Sequence, residues 1–304
     1  MQSGGIDLGG TKIEARLFDA GFNTCVTRRI ATPSEGYDRL CAALAEQIGW
    51  LHEQAGGTLP IGIGFPGIMA PQTQQIYAAN LPLSGSNLVN DIKTLTGCSL
   101  ALVNDSLAFA LSEATLGAGQ GYDSVLGLII GTGVGAGLAI DGRLIPRCTG
   151  LALEVGHLGV PARWLAQSGL PLRQCGCKKL GCYEAYLAGP GLSWMAAQAL
   201  SRDIAVPDLV VLAETDFVAK QVLNTWSDLA GELLLDLHLN HDPGVIVLGG
   251  GLSKIPGVLN RLQSGLERCR LGTSPLPQIA LAEHGDSSGA RGAAIFATQQ
   301  LRGG

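Results

Sequence analysis

The segment GGIDLGGTKIEARLF, from Gly4 to Phe18, sets two runs of strand-forming residues on either side of a glycine pair. Glycine adopts backbone conformations that other residues avoid, so Gly9 and Gly10 predict a tight turn between two strands. The segment SVLGLIIGTGVGAGLAI, from Ser124 to Ile140, has a similar form around GTGVGAG, although the residues do not repeat. The chain therefore contains two glycine-turn hairpins, which we interpret as the beginnings of two domains.

Strands and helices alternate along the rest of the chain, which predicts an α/β architecture. PIGIGF and LALVN are buried strands, and GVIVLGGGLS is a strand that runs into a glycine turn. A length of 304 residues is enough for two domains with a cleft between them. We predict a smaller N-terminal domain, residues 1–118, and a larger domain, residues 119–304, with a last helix at about 288–302 that packs back on the first domain. Helical periodicity predicts further helices over Gly36–Gln54, Leu88–Gly97, Ser106–Leu116, Tyr183–Leu200 and Asp216–Asn240.

Composition excludes several classes of function. Hydrophobic residues make up 46% of the chain, charged residues 15%, and the net charge is −5, so no basic nucleic-acid surface is expected. The longest uncharged run is interrupted by GTGVGAG, so it predicts strand, turn and strand rather than a membrane span. The chain opens on an apolar strand and not on a signal peptide. We therefore expect a cytoplasmic protein without nucleic-acid or membrane partners.

Three glycine clusters follow apolar strands and could bind phosphate. Glycines let backbone N–H groups approach anionic oxygens, and threonine adds a hydroxyl donor. Neither hairpin turn is a P-loop, and GTGVGAG leads into a strand, which argues against a dinucleotide fingerprint. Ordinary hairpins are the alternative, but three such clusters favour one nucleotide bound by both domains. The candidate ATP-binding residues are Asp7, Gly9, Gly10, Thr11, Lys12, Gly131, Thr132, Gly133, Gly135, Gly249, Gly250 and Gly251.

Three of the eight cysteines crowd into CGCKKLGC. Cys175, Cys177 and Cys182 have the spacing C-x-C-x4-C, and thiolates are ligands that favour zinc. A structural zinc site needs four ligands, and His157 is the nearest histidine in the sequence. Three unpaired thiols in a loop are the alternative. The pattern predicts a structural zinc bound by His157, Cys175, Cys177 and Cys182.

Taken together, these motifs resemble the ROK family of bacterial sugar kinases and repressors along essentially the whole chain. DLGGTK and GTGVGAG resemble its two phosphate motifs, VLGGGLS its adenosine motif, and CGCKKLGCYE its zinc signature. EVGH, from Glu154 to His157, resembles its E-x-G-H sugar motif. The resemblance implies a two-domain actin-like ATPase (ribonuclease-H-like) fold, with ATP, Mg²⁺ and structural Zn²⁺ as cofactors. The phosphate motif starts at Asp7, so we expect no N-terminal helix-turn-helix of the repressor type.

The resemblance also implies a catalytic base. Asp105 lies where the strand LALV meets a helix, in the context N-D-x-x-x-F-A-x-x-E that holds the base in the family. Spacing alone favours a helix N-cap for Asp105, since aspartate is common there. The implied sugar-binding residues supply donors and acceptors for vicinal hydroxyls, although solvated loop charge is the alternative for the two glutamates. These residues are Asn80, Asn104, Asp105, Glu154, His157 and Glu184.

Three stretches indicate the substrate: YAANLP, PLRQCGC and the tail AEHGDSSGARGAAIF resemble the N-acetylglucosamine kinases of the family. We therefore expect ATP-dependent phosphorylation of the 6-hydroxyl of N-acetyl-D-glucosamine. The alternatives are a fructokinase or glucokinase of the same family, a non-catalytic sugar-sensing protein and a purely structural zinc protein. A homodimer is the assembly to test. Leu153 and Lys178 depart from the family pattern, which usually has glycine at both positions.

Overall fold

The computed structural model describes residues 1–33, 35–285 and 288–303, without the side chains of residues 302 and 303. The strands are β1 (Ser3–Leu8), β2 (Lys12–Phe18), β3 (Thr24–Ala31), β4 (Ile61–Phe65), β5 (Ile68–Met69), β6 (Ile76–Tyr77), β7 (Leu100–Asn104), β8 (Ser124–Ile130), β9 (Val134–Ile140), β10 (Arg143–Leu144), β11 (Val245–Gly249) and β12 (Gln278–Leu281). The helices are α1 (Tyr37–Ala55), α2 (Leu88–Thr96), α3 (Asp105–Leu116), α4 (Ala162–Ser168), α5 (Glu184–Leu187), α6 (Gly189–Leu200), α7 (Val206–Leu212), α8 (Phe217–His241), α9 (Val258–Cys269) and α10 (Ser288–Gly303).

The chain divides into two compact units. The first unit holds Met1–Gly121, Gly137–Ala152 and Glu283–Gly304, and the second holds Tyr122–Ala136 and Leu153–Ala282. The segment Gly137–Ala152, which the sequence placed in the second domain, thus groups with the first unit. Gly137 gives the reason, because an added Cβ there would lie 2.5 Å from the carbonyl oxygen of Ser106 in α3. Only glycine allows the backbones to approach so closely.

The first sheet has the strand order β3-β2-β1-β4-β7. β1 pairs with β2 antiparallel and with β4 parallel, and β4 pairs with β7 parallel. The main core of this unit contains apolar side chains from these strands and from α1 and α2. The carboxyl ends of β1 and β7 carry Asp7 and Asn104, so the sheet places the candidate residues of the first unit at one edge.

The second sheet has the order β10-β9-β8-β11-β12. β8 pairs with β11 parallel, and β11 pairs with β12 parallel. If the five strands of each sheet are numbered in chain order, both sheets have the same spatial order, 3-2-1-4-5. The similar form of the two glycine-turn hairpins is the part of this shared topology that the sequence reveals.

The last helix, α10, packs so closely on β1, β4 and α3 that glycine is required at the points of contact. A Cβ at Gly5 or Gly62 would lie 1.9 Å from the carbonyl oxygen of Ala290 or Ala293 in α10. A Cβ at Gly292 would lie 1.8 Å from the carbonyl oxygen of Ala108 in α3. Three glycines from distant parts of the sequence therefore set the depth at which α10 docks.

Glu113 anchors the beginning of α10. Its carboxylate is fully buried near the end of α3 and accepts a hydrogen bond from the hydroxyl of Ser288 at 2.7 Å. It also accepts the backbone N–H groups of Ala118 and Glu283, both at 3.2 Å. A buried carboxylate is stable only when its oxygens are bonded, so Glu113 joins α3 to the segment that leads into α10.

The helix predicted over Tyr183–Leu200 is interrupted in the structure. It divides into α5 and α6 at Ala188, which has an extended backbone (φ −62°, ψ 160°). Pro190 lies in the first turn of α6, where its missing N–H is harmless, whereas in mid-helix it would remove a hydrogen bond. The loop-rich stretch Gly150–Gly181, which holds two of the clustered cysteines, contains the short helix α4. The sequence interpretation also missed α7 and α9.

No helix among the residues that the structure describes combines the length and apolar character needed to cross a bilayer.

The first prediction concerns the docking of α10. Replacement Gly62→Ala places a methyl group against the backbone of Ala293, and relief requires α10 to shift. Overpacking of this kind costs about 1–3 kcal/mol, so we expect a lower free energy of unfolding in denaturant titration. Gly49→Ala is the matched control, since Gly49 is exposed in α1 with no atom near its added Cβ. Alanine in an exposed helix position is favoured by about 0.5–1 kcal/mol. Equal behaviour of the two variants would contradict this account.

Candidate active site and metal centre

The first glycine turn is tied to the strand beside it. The N–H of Gly9 donates to the carbonyl oxygen of Lys12 at 3.0 Å, and the Thr32 hydroxyl donates to the carbonyl oxygen of Gly9 at 2.6 Å. The N–H of Thr32 donates to the carbonyl oxygen of Thr11 at 3.0 Å. Gly10 and Thr11 are exposed at the tip. The backbone carbonyl of Asn80 lies 3.8 Å from an added Cβ at Gly10, so the first unit brings this candidate residue next to the turn.

Asp7, at the end of β1, lies against the beginning of α10. An added Cβ at Gly289 would be 3.1 Å from the carboxylate carbon of Asp7. A carboxylate is stabilised by the partial positive charge at a helix N-terminus. Gly289 is a residue of this site that the sequence interpretation did not single out, although it lies in the GDSSGARGAA tail. Asp286 and Ser287 of that tail lie outside the described residues.

Asn104, and not Asp105, caps α3. The Asn104 Oδ1 accepts the N–H groups of Ser106 at 2.9 Å and Leu107 at 3.3 Å, while its Nδ2 donates to the carbonyl oxygen of Gly67 at 3.0 Å. Asp105 is the first helical residue, and its Oδ1 accepts the N–H of Ser106 at 2.8 Å. The N-cap of α3 is thus Asn104, and Asp105 lies one residue further along, with its carboxylate in the first turn of the helix.

The second glycine turn and the third glycine cluster meet in the second unit. The N–H of Gly131 donates to the carbonyl oxygen of Gly133 at 2.9 Å, and the N–H of Gly189, in the first turn of α6, donates to the carbonyl oxygen of Gly131 at 2.8 Å. An added Cβ at Gly131 would lie 3.6 Å from the nitrogen of Gly251. Gly250 has φ +86°, a conformation that favours glycine. The second unit therefore joins two of the candidate phosphate segments.

Glu184 connects the second glycine turn to the cysteine cluster. It is the first residue of α5, and its Oε2 accepts the N–H of Val134 at 3.0 Å. Its Oε1 lies 3.6 Å from the Sγ of Cys175. An added Cβ at Gly133 would lie 2.8 Å from Oε2, so the glycine makes room for the carboxylate. The Glu184 side chain thus contacts both the second glycine turn and the cysteine cluster.

The E-x-G-H segment runs beside the beginning of β9. Leu153 exchanges two backbone hydrogen bonds with Ala136, at 3.3 and 3.1 Å, and its side chain is buried. Gly156 packs against Val134, whose carbonyl oxygen would be 2.3 Å from an added Cβ. Glu154 comes directly after Leu153 and precedes a 3₁₀ helix of one turn that ends at His157. This pairing places the E-x-G-H segment beside the second glycine turn.

His157, Cys175, Cys177 and Cys182 come together as a metal site. Their ligand atoms all lie within 4.8 Å of one another. The Nδ1 of His157 is 3.6 Å from the Sγ of Cys175, and the sulfurs of Cys177 and Cys182 are 3.6 Å apart. Zinc–sulfur bonds of about 2.3 Å and zinc–nitrogen bonds of about 2.05 Å give tetrahedral edges of roughly 3.6–3.8 Å. The four side chains therefore fit a zinc ion with a closed ligand set.

Burial and a backbone hydrogen bond give the three thiols different acidities. Burial raises the pKa of Cys175, and it raises the pKa of Cys182 to about 12. A hydrogen bond from the N–H of Lys179 lowers the pKa of the exposed Cys177. Zinc binds thiolates, so metal binding supplies the charge compensation that the buried sulfurs lack.

Lys178 shows why glycine is usual at its position. It has φ +70°, the left-handed region, and its N–H donates to the carbonyl oxygen of Cys175 at 2.8 Å. Its side chain is exposed. The departure from the family pattern therefore costs local backbone strain on the order of 1–2 kcal/mol and leaves the ligand cluster in place.

Comparison with known proteins defines the class. The model of the ROK family matches residues 3–300, and the chain belongs to that family. It is 40% identical over 299 residues to the N-acetylgalactosamine kinase AgaK of Shewanella sp. strain ANA-3, covering 96% of this chain and 95% of that protein. It is 37% identical over 296 residues to the N-acetyl-D-glucosamine kinase of Escherichia coli O6:H1, covering 96% and 98%.

Solved structures agree with this assignment. The ROK hexokinase of Thermus thermophilus is 34% identical, with a TM-score of 0.89 over 100% of both chains. A ROK glucokinase from Streptomyces griseus, solved with glucose and AMPPNP, is 27% identical, with a TM-score of 0.79 over 98% of this chain and 100% of that one. The predicted α/β class and two-domain actin-like ATPase fold are confirmed.

The second prediction concerns the metal. Cys177→Ser removes one of four ligands, and the binding energy of a structural metal is part of the folding energy. We expect less zinc per chain by elemental analysis and a lower midpoint of thermal unfolding. Cys25→Ser is the control, because Cys25 is an exposed free cysteine outside the cluster. A purified wild-type chain without zinc, or equal metal content in both variants, would contradict the assignment.

Proposed function

We propose that this protein is an ATP-dependent kinase that phosphorylates the 6-hydroxyl of an N-acetylhexosamine, with N-acetyl-D-glucosamine as the preferred sugar. The observation that carries the proposal is the position of Asp105 in the first turn of α3, directly after the end of β7, where the neighbouring Asn104 caps the helix. The two relatives at 40% and 37% identity, both named as kinases of N-acetylated hexosamines, support the substrate class.

Asp105 is the general base of the proposed reaction. Phosphoryl transfer through a loose transition state requires positioning, charge neutralisation and a group that accepts the proton of the attacking hydroxyl. A carboxylate in the first turn of α3, at the carboxyl end of β7, can accept that proton from the 6-hydroxyl. The amide of Asn104 keeps a second N–H on Nδ2 besides the one donated to Gly67, and this N–H can bind the sugar.

The glycine segments bind the nucleotide in this proposal. In the first unit, Gly9, Gly10, Thr11 and Lys12 supply backbone N–H groups, a hydroxyl and an ammonium group for phosphate oxygens. In the second unit, Gly131–Gly135 and Gly249–Gly251 supply further backbone N–H groups for the nucleotide. Asp7 is the carboxylate that would hold the magnesium ion accompanying ATP, and a magnesium ion bound there would supply charge neutralisation for the transferring phosphoryl group.

The second unit contributes sugar ligands next to its metal site. The Nδ1 of His157 faces the cysteine sulfurs, so its Nε2 is the ring nitrogen left for a sugar hydroxyl. A metal on Nδ1 would fix the tautomer and the ring orientation of this histidine. Glu154 and Glu184 supply carboxylates on either side of it in the sequence, and Asn80 is the remaining proposed contact, from the first unit. The structural metal thus serves substrate binding indirectly.

N-acetyl-D-galactosamine is the second candidate substrate. The relative at 40% identity carries that specificity in its name, and the two sugars differ only in the configuration of the fourth carbon. Neither of the relatives at 40% and 37% identity is named as a fructokinase or a glucokinase, so these two alternatives are less well supported. A non-catalytic sugar sensor is disfavoured by the retained Asp105. The homodimer and the cytoplasmic location remain proposals, the latter consistent with ATP as the donor.

The third prediction tests the base. Asp105→Asn keeps the shape of the side chain and leaves the cap on Asn104 intact, but an amide cannot accept the proton. We expect kcat to fall at least about 10²-fold, measured by coupled ADP release, while sugar binding by calorimetry survives. Asp216→Asn is the matched control, because Asp216 caps α8 by accepting the N–H of Ala219 and asparagine caps equally well. Near-normal kcat in Asp105→Asn would refute the role.

The fourth prediction concerns the sugar. We expect kcat/KM for N-acetylglucosamine to exceed that for glucose and fructose, because small residues in the loop LPLSGSN after Asn80 leave room for a substituent on the second carbon. Fit of the acetyl methyl alone is worth about 1–3 kcal/mol, and paired polar atoms of the acetamido group add discrimination.

One panel measured under one condition decides between the candidates: N-acetylglucosamine, N-acetylgalactosamine, N-acetylmannosamine, glucose and fructose. A lead for N-acetylgalactosamine would replace the first candidate with the second. A lead for glucose or fructose would contradict the N-acetylhexosamine class and leave the kinase proposal in place.

A further inference from the structure

Arg173 holds together the segment that carries both a metal ligand and Glu184. Its carbonyl oxygen accepts the N–H of Gly181 at 2.8 Å, directly before Cys182. Its guanidinium Nη1 donates to the carbonyl oxygen of Ala185, directly after Glu184. The same residue, in the irregular segment that leads into Cys175, therefore binds both ends of the five-residue segment Gly181–Ala185.

The guanidinium is held in one orientation by aromatic side chains. Its central carbon lies 4.1 Å from the ring centroid of Trp194 in α6, a cation–π distance. Tyr186 meets Trp194 edge to face at 6.5 Å between centroids. The Tyr186 hydroxyl accepts the backbone N–H of Arg173 at 3.0 Å and donates to the carbonyl oxygen of Pro171 at 2.8 Å. Stacking on Trp194 while donating a hydrogen bond to Ala185 uses the planar guanidinium of arginine, which lysine cannot reproduce.

These contacts converge on the position of Glu184. The carboxylate of Glu184 accepts the N–H of Val134 in the second glycine turn. Glu184 lies in α5, a helix of only four residues. A helix of one turn has little stability of its own and takes its position from tertiary contacts. The bond from Arg173 to Ala185 is a charge-assisted contact to the backbone next to Glu184.

We propose that Arg173 is a positioning residue for sugar binding: it fixes α5, and with it the position of Glu184, while touching no substrate itself. This inference rests on the proposed kinase function. Glu184 also contacts the second glycine turn through Val134, but that turn has bonds of its own, from Gly131 to Gly133 and from Gly189 to Gly131, which involve neither Arg173 nor Glu184. We therefore expect loss of the Arg173 contacts to affect sugar binding more than nucleotide binding.

The experiment compares Arg173→Met with the wild-type holoenzyme. Methionine keeps an apolar stem over Trp194 but removes the bond to Ala185. We expect the KM for the sugar to rise about tenfold or more, as for loss of a charged hydrogen bond, while the KM for ATP stays within about twofold and zinc per chain is unchanged. Arg173→Lys, which restores a cation without the planar fork, should recover only part of the loss.

Arg270→Met is the matched control, because Arg270 also donates to backbone carbonyls, those of Thr273 and Ser274, in the turn after α9. It should leave the KM for the sugar unchanged. If Arg173→Met does not fold, Trp194→Leu removes the stacking partner instead and should give the same selective rise.

Three results would overturn the inference: an unchanged KM for the sugar, a parallel rise of both KM values with a lower unfolding midpoint, or a loss of zinc that accounts for the effect. An inactive wild-type holoenzyme would remove the proposed kinase function and the inference together. An active wild type with an unaffected Arg173→Met variant would remove the inference alone.

Discussion

The close approach of α10 to the first sheet is the constraint on which the candidate residues of the first unit depend. The helix can reach Gly5, Gly62 and the backbone of Ala108 only because no Cβ intervenes at three positions. Van der Waals repulsion rises so steeply that even one methyl group would move the helix. Its first turn, anchored by Glu113, lies against the carboxylate of Asp7. The end of the chain therefore defines the surroundings of a residue near its beginning.

The second unit contains a loop-rich segment whose position depends on side-chain contacts rather than on regular secondary structure. The structure uses a cluster of three cysteines and one histidine, a short helix and the Arg173 contacts to position this segment. Glu184 lies between the cysteine cluster and the second glycine turn: one of its carboxylate oxygens faces Cys175 and the other accepts the N–H of Val134. A metal in this cluster would reduce the conformational freedom of His157 and the segment around Glu184 together.

The candidate chemistry is divided between residues with different structural duties. Asn104 combines the cap of α3 with a bond to Gly67, which fixes the strand-to-helix junction. In the proposed reaction, the neighbouring carboxylate of Asp105 accepts the proton of the sugar hydroxyl. The proposal likewise gives the two ring nitrogens of His157 different partners, because Nδ1 faces the sulfur of Cys175. If Asn80, Glu154 and Glu184 bind the sugar as proposed, the hydroxyl configurations that they can match would determine the choice among acetamido sugars.

The sequence determined the features that depend on neighbours in the chain. The glycine turns after β1 and β8, the metal-ligand spacing and the strand-to-helix junction at Asn104 are local patterns, and the family resemblance added the roles proposed for them. The break before α6 was also encoded locally, by Pro190, but helical periodicity concealed it. Sequence spacing alone assigned the cap to Asp105, because both residues are good caps and only the backbone geometry distinguishes them.

Tertiary structure decided what no local pattern can express. Glu113 meets Glu283 and Ser288 across more than half of the chain, and Gly289 is placed beside Asp7 from the opposite end of the sequence. The grouping of Gly137–Ala152 with the first unit and the bonds of Arg173 to both ends of Gly181–Ala185 are of the same kind. Such contacts form when the packing of helices and strands brings residues that are distant in the sequence next to one another. They therefore depend on the three-dimensional arrangement of the backbone and not on the spacing of residues along it.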